Sequence, residues 1–290
     1  MNLPNKKNLR IILAIAILSV LFFLNFVSAN KNSDKLRVSF FDVGQGDSIF
    51  IQTPNKKDIL IDGGPNNAVI KKLGKAMPFW DKTIDLIIIT HPHSDHISGL
   101  IEIIKKYEIK EIFYTGVLYN SETYAELLRQ IKQNKIKLIE INQQQELTLD
   151  KNLKLKILFP NENLREKNIE NLNNTSMVVK LIYDENSFLF AADAEYEVEQ
   201  ILLENNTDIK ADLLKVGHQG ASDSSSLKFL QKVSPQIAII SVGKNNKFGH
   251  PSLRVIRRLE KLGAKVFRSD QNGDIKIIAN GKNYKILIEK

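Results

Sequence analysis

The chain has 290 residues, no cysteine and a formal net charge of +8. The missing thiol excludes a disulfide framework, a thiolate nucleophile and any Cys-ligated zinc or iron–sulfur site. With 43% hydrophobic and 26% charged residues the composition is that of a globular protein able to bury a core, which excludes wholesale disorder, and the basic excess suits an anionic partner.

Lys6, Lys7 and Arg10 precede a nearly unbroken apolar run from Ile11 to Val27, and Val27-Ser28-Ala29 offers small residues for cleavage after Ala29. Basic, apolar, small is the layout of a secretory signal. The run falls just short of the ~20 residues that span a bilayer. Residues 1–29 are therefore expected to be a signal peptide or a retained N-terminal anchor that contacts the membrane. The rest of the chain is then extracellular or held on the outer face of the cytoplasmic membrane. Residues 30–35 read as a linker and 36–290 as one domain.

Within that domain, strand-like and helix-like runs alternate. Strands are expected at 36–42, 48–53 and 58–62, the first two flanking the turn Gly44-Gln45-Gly46-Asp47. A helix follows at 68–76. Residues 84–90 form a continuous apolar run, the mark of a strand buried on both faces. Helices at 97–107 and 121–134 bracket a strand at 111–114. Strands then fall at 137–141, 146–149 and 153–159, and the polar stretch 161–174 reads as loop or short helix. The second half predicts a hairpin from 177–183 and 187–191 across Asp184-Glu185-Asn186, and strands at 213–216, 237–241, 265–267, 275–278 and 284–288. Its helices are expected at 195–204, 226–233 and 252–262. The alternation gives an α/β protein with two sheets and helices outside both.

Three of the five histidines sit in His91-Pro92-His93-Ser94-Asp95-His96, directly after the buried strand. In extended backbone His91 and His93 point the same way. Four imidazole or carboxylate donors in six residues exceed what one tetrahedral ion takes from so short a segment. The arrangement suggests two adjacent ions, with His91 and His93 on one and Asp95 and His96 on the other. Asp193, after the strand-like 188–192, could bridge them or equally cap the following helix. His218 and His250 also follow strands or precede helices on what would be the same rim.

These residues resemble the metallo-β-lactamase-fold hydrolases, whose H-x-H-x-D-H signature His91–His96 fits. The closer resemblance is to the soluble hydrolase domain of the ComEC competence family of DNA-uptake proteins. It rests on Phe41-Asp42-Val43-Gly44-Gln45-Gly46-Asp47-Ser48, Ile61-Asp62-Gly63-Gly64, Thr90 to Gly99, Lys215-Val216-Gly217-His218, Ser241-Val242-Gly243 and Gly249-His250-Pro251, and covers roughly residues 36–288. It implies a four-layer αββα sandwich with two divalent ions, Zn²⁺ or Mn²⁺, at one end, and hydrolysis of a phosphodiester, in DNA above all. Carried over by position, it implies metal ligation by His91, His93, Asp95, His96, Asp193 as the bridge and His218, with Asp62 orienting a ligand from behind. Two departures bear on metal occupancy. Asn173-Asn174-Thr175-Ser176 stands where most of these hydrolases have a histidine, and Gln219 stands where ComEC-like chains carry a second one.

The expected chemistry is attack on phosphorus by metal-activated water, with Asp95 holding or orienting it. His250 is expected to protonate the leaving oxygen or bind phosphate. Lys215, Gly220, Ser222, Asn174 and Ser176 are candidate phosphate contacts, with the backbone N–H groups of 217–220 and the serines after them as a cradle. Two other readings stand beside this one: a metallo-hydrolase of a small ester, lactone or amide, and a catalytically idle nucleic-acid-binding module.

Overall fold

The computed structural model describes residues 12–20, 35–165, 167 and 169–289. The basic start, the cleavage motif at 27–29 and all of the linker before Lys35 lie outside the described residues. Residues 12–20 are helical and exposed throughout. Among the described residues no helix is long and apolar enough to cross a membrane.

Among the described residues fifteen strands form two sheets. The first runs in the order β15(Tyr284–Glu289)-β14(Asp274–Ala279)-β1(Leu36–Phe40)-β2(Ile49–Gln52)-β3(Asp58–Ile61)-β4(Thr83–Ile88)-β5(Glu108–Tyr114)-β6(Lys137–Glu140). The second runs β13(Lys265–Arg268)-β12(Ile237–Ile240)-β11(Leu213–Lys215)-β10(Asn186–Phe190)-β9(Val178–Tyr183)-β8(Leu153–Phe159)-β7(Gln145–Asp150). Both are mixed: β3 to β6 and β10 to β13 are parallel, the remaining pairs antiparallel. Helices α1(Ala68–Ala76), α2(Ser94–Lys106) and α3(Glu122–Gln133) cover the first sheet. Helices α4(Tyr196–Glu204), α5(Leu227–Val233) and α6(Leu253–Lys261) cover the second.

The period-2 pattern explains the layers. Leu86 and Ile88 of β4 face the other sheet, with Phe40, Phe188 and Phe190. Ile87 and Ile89 turn outward beneath Leu100 and Ile103 of α2. The same split holds in β12, where Ile237 and Ile239 join the inter-sheet core while Ala238 and Ile240 lie under helices. Strands buried on both faces need apolar residues at every position, and the sequence supplies them.

Three local features differ from expectation. α2 begins at Ser94, not near 97, with His93 as its extended cap residue (φ −68°, ψ 145°). Its apolar periodicity starts only at Ile97, so the first turn, which carries Asp95 and His96, was invisible to periodicity. The β9–β10 hairpin closes on two residues, Asp184 and Glu185, with Asp184 at φ 49°, the left-handed geometry that tight hairpins favour. A short helix, α7(Ser269–Asn272), follows β13.

The strand ends place the chemistry. β4 and β5 of one sheet and β10, β11 and β12 of the other all direct their C-terminal ends toward a single rim, where open α/β sheets bind their ligands.

Candidate metal centre

β4 delivers His91 and His93 to this rim, and the first turn of α2 delivers Asp95 and His96. α2 can lie this close only because Gly99 has no side chain: a Cβ there would stand 2.0 Å from the Gly63 carbonyl oxygen. Two backbone bonds lock the approach, Gly63 N–H donating to the His96 carbonyl (2.7 Å) and Gly99 N–H to that of Gly64 (3.0 Å). Asp193 follows β10 and His218 follows β11 in a short 3₁₀ turn, both arriving from the second sheet.

The side chains converge on Asp193. Its Oδ2 lies 3.2 Å from His96 Nε2, 4.0 Å from His91 Nε2 and 4.0 Å from His218 Nε2. His93 Nδ1 is 3.2 Å from His91 Nε2, and Asp95 Oδ2 is 3.6 Å from His96 Nε2. Each of the three histidines around Asp193 has its Nδ1 held by protein oxygen. His91 Nδ1 meets Thr90 Oγ1 (3.1 Å) and Ser176 Oγ (3.3 Å). His96 Nδ1 meets Asp62 Oδ2 (2.8 Å). His218 Nδ1 meets Glu195 Oε1 and Asp223 Oδ1, both at 3.1 Å. Holding Nδ1 in this way fixes the ring and aims the Nε2 lone pair inward, the usual support for a metal-binding imidazole.

The donors fit a divalent ion. His96 Nε2 and Asp193 Oδ1 are buried with no hydrogen-bond partner, a costly state unless something else satisfies them. The charges point the same way. Burial opposes ionisation of Asp193, yet the His96 ring outweighs it and holds the carboxyl far below its ordinary range. Burial likewise disfavours charged His96, but Asp193 and Asp62 override it and push its pKa well above the usual imidazole value. His218 rises to about 9, because Glu195, Asp193 and Asp223 overcome its desolvation. His91 is depressed, first by burial and then by His96. Buried carboxylate charge thus draws protons onto neighbouring rings, and a cation in their midst would displace them.

The cluster floors a cleft of about 440 Å³ lined by Gln45, His93, Asp95, Asn173, Gln219 and His250, among others. The sequence-predicted set His91, His93, Asp95, His96, Asp193 and His218 is brought together here. The expected division, His91 and His93 against Asp95 and His96, does not appear as two separate pairs. Asp193 reaches His91 and His96 alike, and a tight triad is His91, His96 and Asp193. Asp62 lies behind His96, its carboxylate also accepting from Thr90 N–H (2.9 Å) and Thr90 Oγ1–H (2.6 Å). His250 stands on the cleft wall, its ring centroid 5.5 Å from that of His218.

The expected phosphate contacts are corrected. Lys215 is buried and its Nζ lies 2.5 Å from Asp47 Oδ2; a lysine neutralised inside the core cannot also meet a substrate. Ser176 is buried against His91, its Oγ also accepting from Asp193 N–H at 3.2 Å. Asn174 turns away, donating to Glu197 Oε2 (2.9 Å) and accepting from Glu195 N–H (3.3 Å). Gly220 packs on Pro251, where a Cβ would stand 2.6 Å from the proline Cβ. Ser222 is exposed and lies off the cleft lining. Part of the expected cradle is already filled: His218 N–H donates to the Ala192 carbonyl (3.0 Å), and the N–H groups of Ser225 and Ser226, before α5, donate to the buried carboxylate of Glu199.

Asn173 and Gln219 stood out in the sequence only as positions without a histidine, and Gln45 only as part of a turn; their hydrogen bonds in the site did not. Asn173 lines the cleft, its Nδ2 donating to Glu195 Oε1 (2.6 Å), which leaves its buried Oδ1 without a partner. Gln219 Nε2 donates to Asp95 Oδ2 (2.8 Å); Gln45 Nε2 donates to Gln219 Oε1, and Gln45 Oε1 accepts from Gly243 N–H (2.9 Å). Amides carry no chemical signature of their own, so only their location beside the motif residues could have drawn attention.

A model of the metallo-beta-lactamase superfamily matches residues 41–244, which include every histidine but His250. The chain belongs to this superfamily. Over 270 residues it is 30% identical to ComE operon protein 3 of Bacillus subtilis (strain 168), covering 87% of this chain and 34% of that protein. Over 263 residues it is 25% identical to competence protein ComA of Neisseria gonorrhoeae, covering 88% and 34%. The chain therefore spans about a third of the length of these relatives. A shorter match of 62 residues, 37% identical, relates 21% of the chain to 23% of exodeoxyribonuclease WalJ of Streptococcus pneumoniae serotype 2 (strain D39 / NCTC 7466). The fold is the two-sheet α/β sandwich of the superfamily, the relatives include competence proteins, and the imidazole–carboxylate cluster is suited to metal.

Proposed function

We propose that this superfamily hydrolase is an exported or membrane-held phosphodiesterase that acts on DNA with two divalent ions, Zn²⁺ or Mn²⁺. The observation that carries this reading is the juxtaposition of the cluster with exposed aromatic rings on the cleft rim. Phe248, 69% exposed, lines the cleft and stacks on His250 at an interplanar angle of 15° and 5.8 Å. Tyr119 packs edge-on to His93 at 6.1 Å. Rings beside a metal cluster give unpaired bases a stacking surface, which a small ester or lactone does not need. Lys244 and Lys247 beside Phe248 add positive charge for the phosphate backbone. The names of the competence and exodeoxyribonuclease relatives agree with a nucleic-acid substrate.

His91, His93, Asp95, His96, Asp193 and His218 would hold the ions. Divalent ions, when bound, supply Lewis acidity to a phosphoryl oxygen and make water easier to deprotonate. The protein residues do the rest. Gln219, itself fastened by Gln45, fixes Asp95 by its Oδ2, so that the carboxylate presents a defined face to incoming water. Asp62 fixes His96, and Glu195 fixes His218 and Asn173 together. His250 and Phe248 face the substrate side.

The test is hydrolysis of bis-p-nitrophenyl phosphate and of single-stranded DNA by purified protein loaded with Mn²⁺ or Zn²⁺. DNA cleavage that is lost in His93→Ala/Asp193→Ala together with metal content supports the proposal. Ester or lactone turnover without phosphodiester cleavage overturns it, as does DNA binding with no hydrolysis under either metal.

A further inference from the structure

The end of the molecule opposite the metal rim carries a second unusual feature. Between α1 and β4 the chain presents Phe79 and Trp80, 82% and 74% exposed, their rings edge-to-face at 4.8 Å. Two adjacent large aromatics held in contact yet left in water form an apolar knob that the domain does not use for its own packing.

The topology fixes where this knob points. β3 ends at the metal rim beside Asp62, α1 runs back, and β4 returns to His91, so residues 77–82 lie at the far end. The register carries that level across the sheet. Arg37 pairs with Gln52, Gln52 with Asp58, and β3 next to β4 sets Ile59 beside Leu86. The start of β1 and the Phe79–Trp80 turn therefore share one end of the sheet, both away from the cluster.

The chain leading from the N-terminal apolar run joins β1 at this same end. Eight residues, 28–35, separate it from Leu36, a tether that reaches at most about 30 Å when fully extended. Within that run, residues 12–20 expose Ile12, Leu13, Ile15, Ile17, Leu18 and Val20. Residues 71–82 carry Lys71, Lys72, Lys75 and Lys82 against one acid, Asp81. Lys72 is paired to Asp274, and the further acid Asp85 at this end is paired to Lys110. The end of α2 lies alongside, with Lys105 paired to Glu102 and Lys106 next to it: Glu108 N–H donates to the Lys82 carbonyl at 2.7 Å, and Lys82 Nζ sits over the Tyr107 ring at 5.2 Å.

We infer that the Phe79–Trp80 turn is a lipid-contact site, inserted at the headgroup level of an anionic membrane that also holds the apolar run. Aromatic side chains settle at the membrane–water interface, and flanking lysines gain from anionic headgroups. The two contacts together orient the domain with its cleft facing away from the bilayer. The inference rests on the apolar run being a retained anchor. It does not depend on the identity of the substrate.

Trp80 is the only tryptophan in the chain, so its fluorescence reports on the turn alone. Full-length protein is reconstituted into phosphatidylcholine/phosphatidylglycerol vesicles with and without brominated lipid, and vesicle association is read by flotation. Expected are flotation, a blue-shifted Trp80 emission and loss of most of that emission to bromines near the headgroups. Phe79→Ser should cut the quenching several-fold while leaving metal content and bis-p-nitrophenyl phosphate hydrolysis unchanged. Flotation with Trp80 unshifted and unquenched overturns the lipid contact and leaves the run as anchor. Failure to float overturns both. Neither readout requires turnover, so each stands apart from the proposed activity.

Discussion

His96 Nδ1 lies 2.8 Å from Asp62 Oδ2, with both side chains fully buried. The pair crosses from the end of β3 to the first turn of α2. Asp62 adopts a left-handed backbone (φ 57°) to make it, a conformation uncommon outside glycine and tolerated best by Asn and Asp. The carboxylate thereby fixes the ring whose Nε2 faces Asp193. Asp62→Ala should lower divalent-ion affinity by about 10–100-fold, read by calorimetric titration of metal into apo-protein. An unchanged affinity would mean that α2 alone orients His96.

The Asp47–Lys215 pair joins the two sheets behind the cluster. Burial raises the Asp47 carboxyl to about 6 even with Lys215 beside it. Removing one partner of such a pair strands the other charge in the core. Lys215→Met should therefore destabilise metal-free protein by about 3–5 kcal/mol, and the double variant Asp47→Leu/Lys215→Met should recover much of the loss. Urea unfolding of the three proteins checks this. A double variant as unstable as the single one would show that packing, not charge, sets the cost.

This pair also marks what the sequence could disclose. The His91–His96 motif and its buried strand were legible because ligands and apolar run are contiguous. His218 and Asp193 were legible because each follows a strand-like run, and Asp62 only through the resemblance carried by Ile61-Asp62-Gly63-Gly64. Lys215 read as a phosphate contact because it stands three residues from His218. Its partner is 168 residues away in the chain, and only the packing of the two sheets shows that the charge is already neutralised. Glu199 closing the Ser225–Ser226 turn, and Glu195 holding both Asn173 and His218, are long-range contacts of the same kind. Local pattern carries strands, helices and motifs; which polar groups satisfy each other is decided by tertiary packing.

Asn173 lines the cleft beside His218. Its amide nitrogen is committed to Glu195, which also holds His218. Asn173→Ala should weaken metal binding by about tenfold through loss of this support, and Asn173→Asp should lower His218 alignment by setting a second carboxylate against Glu195. Metal titration checks the first. A crystal structure of the second variant, showing the His218 ring displaced from its position beside Asp193, checks the other.

Stability should depend on pH through Asp58, at the far end of β3 from the cluster. The residue is 5% exposed. Burial pushes its carboxyl up to about 7, against the hydrogen bond from Gln52 and with help from Asp81 and Asp85. An unfolded Asp titrates near 3.9. Between about pH 4 and 7 the folded chain therefore holds a proton that the unfolded chain has released. Stability from this group is intact below the unfolded value and falls as pH rises through the window, by at most about 1.4 kcal/mol per pH unit. Asp58→Asn carries no such penalty. Its stability relative to the parent should improve from pH 4 to 7 and level off above, measured by urea unfolding at intervals across that range. A difference constant with pH would reject the assignment.

His250 tests the division of labour in the cleft. Its backbone is fastened on both sides by Asn246, whose Oδ1 accepts from His250 N–H (3.0 Å) and whose Nδ2 donates to the His250 carbonyl (2.7 Å). The loop is thus rigid at the point where the ring enters the cleft. The ring packs near His218 and does not belong to the triad His91, His96 and Asp193, so His250→Ala should leave metal content unchanged. If the imidazole donates a proton to the leaving oxygen, turnover of DNA should fall by about 10²–10⁴-fold. Loss on bis-p-nitrophenyl phosphate should be much smaller, because p-nitrophenolate departs without a proton. Equal losses on both substrates, with metal intact, would reject proton donation and assign His250 to binding, together with the Phe248 ring stacked on it. Loss of one ion in the variant would instead make His250 a ligand and move it to the floor of the site.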